Sequence, residues 1–203
     1  MARTGLYARR GVEDYAQLSA DSMVRRLGAT AMPRAYRYVG PKDIADRARA
    51  SSPGTVVTSA DDVIAWSLQS GLAKGHITAT YVVDTAGQLR LADRHSEHSA
   101  CAGGDPVLAA GEVTFSLRAG RVAVEEISNQ STGYCPEPES WPAVAAALSA
   151  AGIPAPEAYT TGLLFRRCPG CGQINVVKDL SFECAVCDSA LSSAWNLDAT
   201  ADA

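Results

Sequence analysis

Four cysteines near the C-terminus constrain this chain more than any other feature. Cys168 and Cys171 form one C-x-x-C pair, Cys184 and Cys187 form a second, and twelve residues separate the pairs. Two such pairs around a short β-rich insert are typical of a tetrahedral Zn²⁺ site of the ribbon or knuckle type. The Pro-Gly inside the first pair suits the tight turn that aims two thiolates at one point. We therefore expect one structural zinc ion in a closed shell, which leaves no open position for catalysis.

Two disulfides are the alternative interpretation of these cysteines. Disulfides persist mainly in secreted proteins, and the N-terminal residues MARTGLYARR are charged and lack the apolar segment of a secretion signal. The sequence contains no run of about 18 apolar residues that could span a membrane. We therefore predict a cytoplasmic protein with reduced thiols and no membrane association. Its high content of alanine, glycine and arginine suggests a bacterial source.

The charge balance bears on the class of partner. The chain has 203 residues, with 18 Lys and Arg against 22 Asp and Glu, so its net charge is −4. That balance argues against an extended basic face for nucleic acid, although the ribbon carries a small basic patch of Arg166, Arg167 and Lys178. We interpret the patch as ordinary solvated surface, and likewise the pairs Arg9-Arg10 and Arg25-Arg26. Nucleic-acid binding through the ribbon remains an alternative but is not favoured.

Hydrophobic periodicity and turn residues predict an α+β fold. We expect a mixed domain over residues 1–157 with an antiparallel sheet and a core segment at 78–136, a Cys₄ zinc ribbon over 158–197, and a disordered tail at 198–203. The predicted helices lie within 1–30, 41–50, 62–70 and 141–151, and the predicted strands are 34–40, 55–58, 78–83, 88–92, 112–117, 121–127 and 159–167.

Polar residues concentrate in two blocks, 93–112 and 128–136, at the two ends of a predicted hairpin. A hairpin brings its ends together, so we expect the blocks to face each other across one ligand or substrate pocket. His98 would act there as a general base, Glu112 as its carboxylate partner, and Ser131 and Tyr134 as hydrogen-bond donors. We expect a second group of residues to bind the ligand: His95, Ser99, Gly104 and Asn129.

Two other interpretations of these blocks stay open. His95, His98 and Cys101 are spaced three residues apart, and Cys135 could complete a second metal site with them. Alternatively, the blocks are glycine-rich loops held by serine and asparagine side chains, with histidines that are merely hydrogen-bonded. A nucleophilic Cys–His pair is not favoured, because Cys101 lies between two alanines, where a thiol is usually inert.

The two blocks also resemble a known segment. The pattern runs His98-Ser99, Gly104, Pro106-Val107, Ala-Ala-Gly111-Glu112, a hairpin, and then Ser128-Asn129-x-Ser131-x-x-Tyr134-x-Pro136. It is similar to a segment of bacterial toxin- or effector-like proteins and of the plant IQ-motif calmodulin-binding family, and the similarity covers residues 81–136. The chain departs from that segment at two positions. It has Cys101 where the segment has an aromatic residue, which favours packing over metal binding at this position. It has Thr132-Gly133 where the segment has Gly-His.

The resemblance implies a shared fold and pocket rather than a particular reaction, and without an IQ motif in the chain it does not imply calmodulin binding. We predict a zinc-binding protein with a pocket for an unknown small molecule or protein. If the protein is an enzyme, we expect a transferase or hydrolase that acts on a nucleotide-like or protein substrate. The alternative is a non-catalytic adaptor that binds proteins. Whether the protein is an enzyme stays open.

Overall fold

The computed structural model describes residues 33–69 and 75–198. The predicted helix within 1–30, the two N-terminal arginine pairs, Ser70 and the tail residues 199–203 lie outside the described residues. The helices of the described chain are α1 Lys42–Arg49, α2 Ala60–Gln69, α3 His98–Cys101, a 3₁₀ turn at Pro138–Ser140, and α4 Trp141–Ala150. The strands are β1 Thr55–Val57, β2 Gly75–Asp84, β3 Leu89–Asp93, β4 Val107–Arg118, β5 Arg121–Ile127, β6 Leu164–Arg167 and β7 Ile174–Val177.

Five strands form one antiparallel sheet in the order β1-β3-β2-β4-β5, and β6 and β7 form a separate hairpin. The predicted α+β class with an antiparallel sheet is therefore confirmed. Strands β2 and β4 form the centre, paired from Gly75↔Leu117 to Asp84↔Val107. Pairing with β5 places Glu126 opposite Thr114, two residues along β4 from Glu112, so these side chains share one face of the sheet.

The other face of the sheet carries the main hydrophobic core. Helices α2 and α4 pack there, with Val63 and Trp66 from α2 and Val144 and Leu148 from α4 all buried. Strand residues that alternate along β2 and β4, such as Tyr81 and Phe115, complete this core. Because the helices cover this face, the polar side chains of β4 and β5 lie on the opposite one.

A smaller hydrophobic cluster covers part of that opposite face. It combines Tyr36, Val82, Cys101, Val107 and Tyr134, all of which are buried. Farther along the strands, the face becomes polar, with Thr78 and Thr114 hydrogen-bonded to each other across β2 and β4 at 2.9 Å. This change from apolar to polar leaves Glu112, Thr114 and Glu126 on the less covered part of the sheet.

Three parts of the sequence prediction differ from the structure. The expected loop at 93–112 contains helix α3 and the first half of β4, because Val107, Ala109 and Ala110 are small apolar residues that fit a strand buried on both faces. The expected strand 34–40 is a single bridge between Tyr36 and Val107. The expected strand at 159–167 begins only at Leu164. Among the described residues, no helix is both long and apolar enough to cross a membrane.

Candidate metal centre and ligand groove

The two cysteine pairs form turns with matching backbone geometry. In the first, the Gly172 N–H bonds to the Cys168 carbonyl at 3.0 Å; in the second, the Asp188 N–H bonds to the Cys184 carbonyl at 3.0 Å. Gly172 and Asp188 both adopt positive φ, 76° and 58°. Backbone N–H groups also point at the first sulfur of each pair, Gly170 to Cys168 at 3.3 Å and Val186 to Cys184 at 3.5 Å. The chain thus builds two equivalent knuckles that face each other.

The four sulfur atoms are placed as ligands of one metal ion. All four lie within 4.8 Å of one another, with 3.5 Å between Cys168 and Cys187 and 3.6 Å between Cys171 and Cys184. A tetrahedral shell with Zn–S bonds of about 2.3 Å separates its sulfurs by about 3.8 Å, whereas a disulfide needs about 2.05 Å. The short distances run between the knuckles, and all four cysteines are free. The predicted convergence of the four cysteines on one point is therefore confirmed, and this group could hold a metal ion, with chemistry that fits zinc.

Hydrogen bonds prepare part of this site to carry negative charge. The Val186 backbone N–H lowers the pKa of Cys184 to about 6, and Ser189 lowers the pKa of Cys187. The Gln173 backbone acts in the same direction on Cys171, but hydrogen bonding to the other sulfurs raises its pKa to about 12. Four crowded sulfurs cannot all be thiolates without a cation, so a bound divalent ion would take the place of their shared protons.

Strands β6 and β7 and the two knuckles together form what we call the metal module. Three contacts tie this module to the five-stranded sheet. The side chain of Asn129, after β5, donates to the carbonyls of Pro136 and Leu163 and accepts from the Leu163 N–H. Trp195 Nε1 donates to the Cys135 carbonyl at 2.9 Å. Cys135 also packs with Phe165 and Leu197 in a small buried cluster. Leu163 and Phe165 lie just before Cys168, so the metal site and the sheet share one continuous, well-anchored segment.

A further contact, made by Arg166, corrects the interpretation of the basic patch. Arg166 was expected to be solvated surface, but its side chain is only 3% exposed and its Nη1 donates to Glu137 Oε1 at 2.6 Å. It also donates to the carbonyls of Phe165 and Ser193. A buried guanidinium requires such partners, because a charge without them is costly to bury. The sequence could not reveal Glu137, which is 29 residues away.

A groove of about 190 Å³ lies where the sheet meets the segment that leads into the metal module. The sheet contributes Glu112, Thr114 and Glu126, and the incoming segment contributes Thr160 and Thr161. Thr160 fixes this wall, because its Oγ1 accepts from the Ile127 N–H and its own N–H donates to the Ile127 carbonyl. Among the described residues, neither glutamate has an ion-pair or hydrogen-bond partner for its carboxylate. The groove therefore offers two unpaired negative charges beside several hydroxyl groups.

The two predicted polar blocks do meet, but their contact is mostly packed. The Ser128 N–H donates to the Glu112 carbonyl, and a Cβ on Gly111 would lie 2.0 Å from the Ser128 carbonyl oxygen. Tyr134 is fully buried and its hydroxyl donates to the Asp105 carbonyl at 2.7 Å. Ser131, 1% exposed, accepts from the Tyr134 N–H. Of the four predicted catalytic residues, Glu112 lines the groove, whereas Ser131 and Tyr134 hold the loop together.

His98 lies beside this region at the first turn of α3. Its Nε2 is 3.0 Å from the Gly111 carbonyl, which can only accept, so Nε2 carries the hydrogen. Burial lowers the pKa of His98, although the Gly111 carbonyl and the charges of Glu112 and Glu97 act in the opposite direction. The imidazole is therefore neutral near pH 7. It is not among the residues that line the groove, and its catalytic role stays a prediction.

The predicted ligand-binding residues lie in different surroundings. His95 is exposed, and Gly104 has a positive φ of 83° and packs against Arg49. Ser99 is fully buried, and its Oγ makes no hydrogen bond of good geometry with a described residue. Burial raises the pKa of the neighbouring Tyr38 phenol, and Ser99 is close enough to oppose part of that rise. Both amide hydrogens of Asn129 are used within the protein, so a ligand could bind Asn129 only by displacing them. Their ligand-binding roles stay predictions.

Within residues 33–69 and 75–198, the four C-terminal cysteines are the only group of three or more His, Cys, Asp or Glu residues arranged to bind a metal. His95, His98, Cys101 and Cys135 form no such group. Burial raises the pKa of both Cys101 and Cys135 to about 12, which keeps these thiols protonated. The two lone cysteines therefore behave as small apolar residues of the core.

Three groove residues, Glu126, Thr160 and Thr161, were not predicted from the sequence. Glu126 follows Glu125 in a strand, where either could face outward, and the bulge between Thr114 and Phe115 decides the register. The two threonines stand in a stretch that looks like an ordinary strand entry. The one sequence signal for Glu126 is its spacing of two residues from Ser128, which would place both side chains on the same face of an extended strand.

No protein-family model, no curated protein and no solved structure matches this chain. The resemblance to toxin- or effector-like proteins and to the IQ-motif family therefore stays a prediction. The four-cysteine group and the groove are the two candidate sites that the chain's own geometry offers.

Proposed function

We propose that the protein is a zinc-binding adaptor that holds a positively charged side chain of a partner or substrate protein in the groove between Glu112 and Glu126. One structural zinc ion at Cys168, Cys171, Cys184 and Cys187 stabilises the module whose incoming segment forms one wall of that groove. The observation that carries the proposal is the pair of unpartnered carboxylates in a concave site.

Charge and spacing support a guanidinium or ammonium ligand. Glu126 lies opposite Thr114, so Glu112 is its diagonal neighbour, and such neighbours are roughly 7–8 Å apart. A cation between the two carboxylates would interact with both, and arginine can bond each in a forked arrangement. The same two charges would repel the phosphates of a nucleotide or a nucleic acid. Of the two predicted substrate classes, the groove therefore favours protein.

The predicted transferase or hydrolase activity has less support than binding. The groove supplies carboxylates and hydroxyls, but His98, the predicted general base, is not one of its lining residues. Thr114 and Thr160 already use their hydroxyls in hydrogen bonds within the protein. These residues can orient a ligand, and we keep catalysis outside the proposal.

Metal analysis of the full chain, purified under reducing conditions, tests the first half of the proposal. We expect one zinc per chain, lost in Cys184→Ala and retained in His95→Ala. A folded chain without metal would contradict the structural role of zinc. Two zinc ions, one of them lost in His95→Ala, would restore the second-site hypothesis.

Titration with N-acetyl-arginine amide tests the second half. Its uncharged analogue, N-acetyl-citrulline amide, has nearly the same shape, so the difference between them measures the charge. We expect the arginine probe to bind at least tenfold more tightly, and Glu112→Gln and Glu126→Gln to remove that preference. Glu183→Gln, an exposed glutamate of the metal module, is the matched control. Equal binding of both probes, or an equal loss in Glu183→Gln, would contradict the proposal.

A further inference from the structure

A second cavity of about 220 Å³ lies at the opposite edge of the sheet. Strand β1 has only three residues, and its pairing with β3 ends at Thr55↔Leu91. The chain before β1, including Pro53 and Gly54, therefore leaves the sheet and runs beside α3. The space between them is bordered by Trp66 on one side and by Ser96, Ala100 and Cys101 on another.

The chemistry of this cavity differs from that of the groove. None of the described residues that line it carries a formal charge. Burial raises the pKa of the Cys101 thiol to about 12, so this group also stays neutral. Arg90, which contacts the lining residue Gly54, is engaged by the Asp84 carboxylate at 2.9 Å and by the Gly54 carbonyl. A charged ligand would lose its hydration here without gaining a partner, whereas a neutral ligand would not.

The wall formed by Gly54 is fixed in place. Its N–H donates to the Cys101 carbonyl at 2.9 Å. A Cβ at this position would lie 2.6 Å from Cys101 Sγ and 2.7 Å from the Leu91 carbonyl oxygen, so the backbone approaches β3 and α3 as closely as only glycine allows. A wall held in this way is already ordered before a ligand binds, which reduces the entropy lost on binding.

Size and lining narrow the ligand class. At about 220 Å³ the cavity is smaller than the roughly 300–1,000 Å³ of drug-sized pockets, so it suits a small ligand. An indole ring, a thiol and a proline ring all make favourable contacts with aromatic ligands. The Ser96 hydroxyl at the lining can bond a ring nitrogen or a ring N–H.

We propose that this cavity binds a small, uncharged, planar heteroaromatic molecule, of the class of a free nucleobase or an indole. The site is separate from the groove and does not depend on the proposed function of the groove. The Cys101 side chain contributes surface and polarisability only, with no covalent step.

Two-dimensional amide NMR of the zinc-loaded full chain tests this proposal with adenine and indole as separate probes. We expect at least one probe to bind with a Kd of about 1 mM or below. The amide signals of Gly54 and Cys101 should move, and those of Glu112 and Thr161 in the groove should not. Adenosine monophosphate should bind at least tenfold more weakly than adenine because of its charge. Binding of adenine alone would assign the cavity to nucleobases, and binding of indole alone would assign it to indoles.

A variant that fills the cavity provides the second arm. Ala100→Leu should lower the affinity for the probe at least tenfold. Ala146→Leu, the same change at an exposed position of α4, should leave that affinity within twofold of the unaltered chain's. If Ala100→Leu does not fold, the amide map of the unaltered chain decides. Absence of binding by both probes, shifts centred on the groove, unchanged affinity in folded Ala100→Leu, or tighter binding of the monophosphate would each overturn the proposal.

Discussion

Asn129 and Leu163 exchange two hydrogen bonds, from Asn129 Nδ2 to the Leu163 carbonyl at 2.8 Å and from the Leu163 N–H to Asn129 Oδ1 at 2.7 Å. Asn129 is fully buried, and its second amide hydrogen bonds to the Pro136 carbonyl. This side chain thus continues, beyond Ile127, the backbone bonds that join the end of β5 to the segment before β6. It anchors the metal module to the sheet at the groove.

Replacing this side chain should be costly. In Asn129→Ala, one buried and two partly buried backbone groups lose their partners, and we expect the free energy of unfolding to fall by about 3 kcal/mol. Urea denaturation measures the change. Gln130→Ala, an exposed amide at the next position, is the control and should change stability by less than about 0.5 kcal/mol. A loss below about 1 kcal/mol in Asn129→Ala would contradict the anchoring role.

The ion pair of Arg166 and Glu137 should also contribute to folding. Glu137→Gln leaves a buried guanidinium without its counter-ion, so we expect a loss of about 3 kcal/mol in the free energy of unfolding. Lys42→Ala breaks the exposed pair with Asp46 and should have no measurable effect. Equal stability changes in the two variants would show that Arg166 is solvated in solution.

Gly111 should not tolerate a side chain. A Cβ there would lie 2.0 Å from the Ser128 carbonyl oxygen. The other atoms that it would meet belong to the backbone of Ser128 and Asn129, which cannot move aside as a flexible side chain could. We expect Gly111→Ala to lower the free energy of unfolding by about 3 kcal/mol. At Gly162 the nearest atom to a new Cβ is 3.7 Å away, so Gly162→Ala should be tolerated. Similar denaturation midpoints for the two variants would contradict the close approach of β4 to residue 128.

His98 should make stability depend on pH. Burial lowers its pKa in the folded state, so the unfolded chain takes up the proton first as the pH falls. The contribution of neutral His98 is therefore complete above the unfolded pKa of about 6.5 and is lost as the pH falls through the folded value. His98→Gln should reduce the difference between urea midpoints at neutral and mildly acidic pH, while His95→Gln should leave that difference unchanged. The same pH dependence in all three proteins would exclude His98 as its source.

Local signals explain what could be predicted from the sequence. The knuckles, the β2–β3 and β4–β5 hairpins and helix α1 after Pro41 each depend on residues adjacent in the chain. Their turns and apolar patterns are sufficient to place them to within a few residues. The strand at 107–111 was missed because its small residues alternate weakly and it follows glycines that suggest a loop.

Long-range partners explain what could not be predicted. The burial of Arg166 depends on Glu137, and the groove depends on Thr160 meeting Ile127, 33 residues apart. The polar block at 128–136 looked like a ligand site because its serine, asparagine and tyrosine side chains are polar. In the structure their hydrogen bonds satisfy the backbone of a buried loop, a role that sequence alone does not distinguish from binding.

Hydrogen–deuterium exchange with and without metal tests most directly whether the four-cysteine site holds the groove in place. The Thr160, Thr161 and Leu163 amides donate to Ile127 and Asn129, on the segment that leads into Cys168. On removal of zinc by a chelator, their exchange should accelerate at least tenfold, while amides of Tyr81 and Val82 in β2 should keep their protection. Unchanged exchange at all three amides in the zinc-free chain would contradict the proposed coupling between the metal site and the groove.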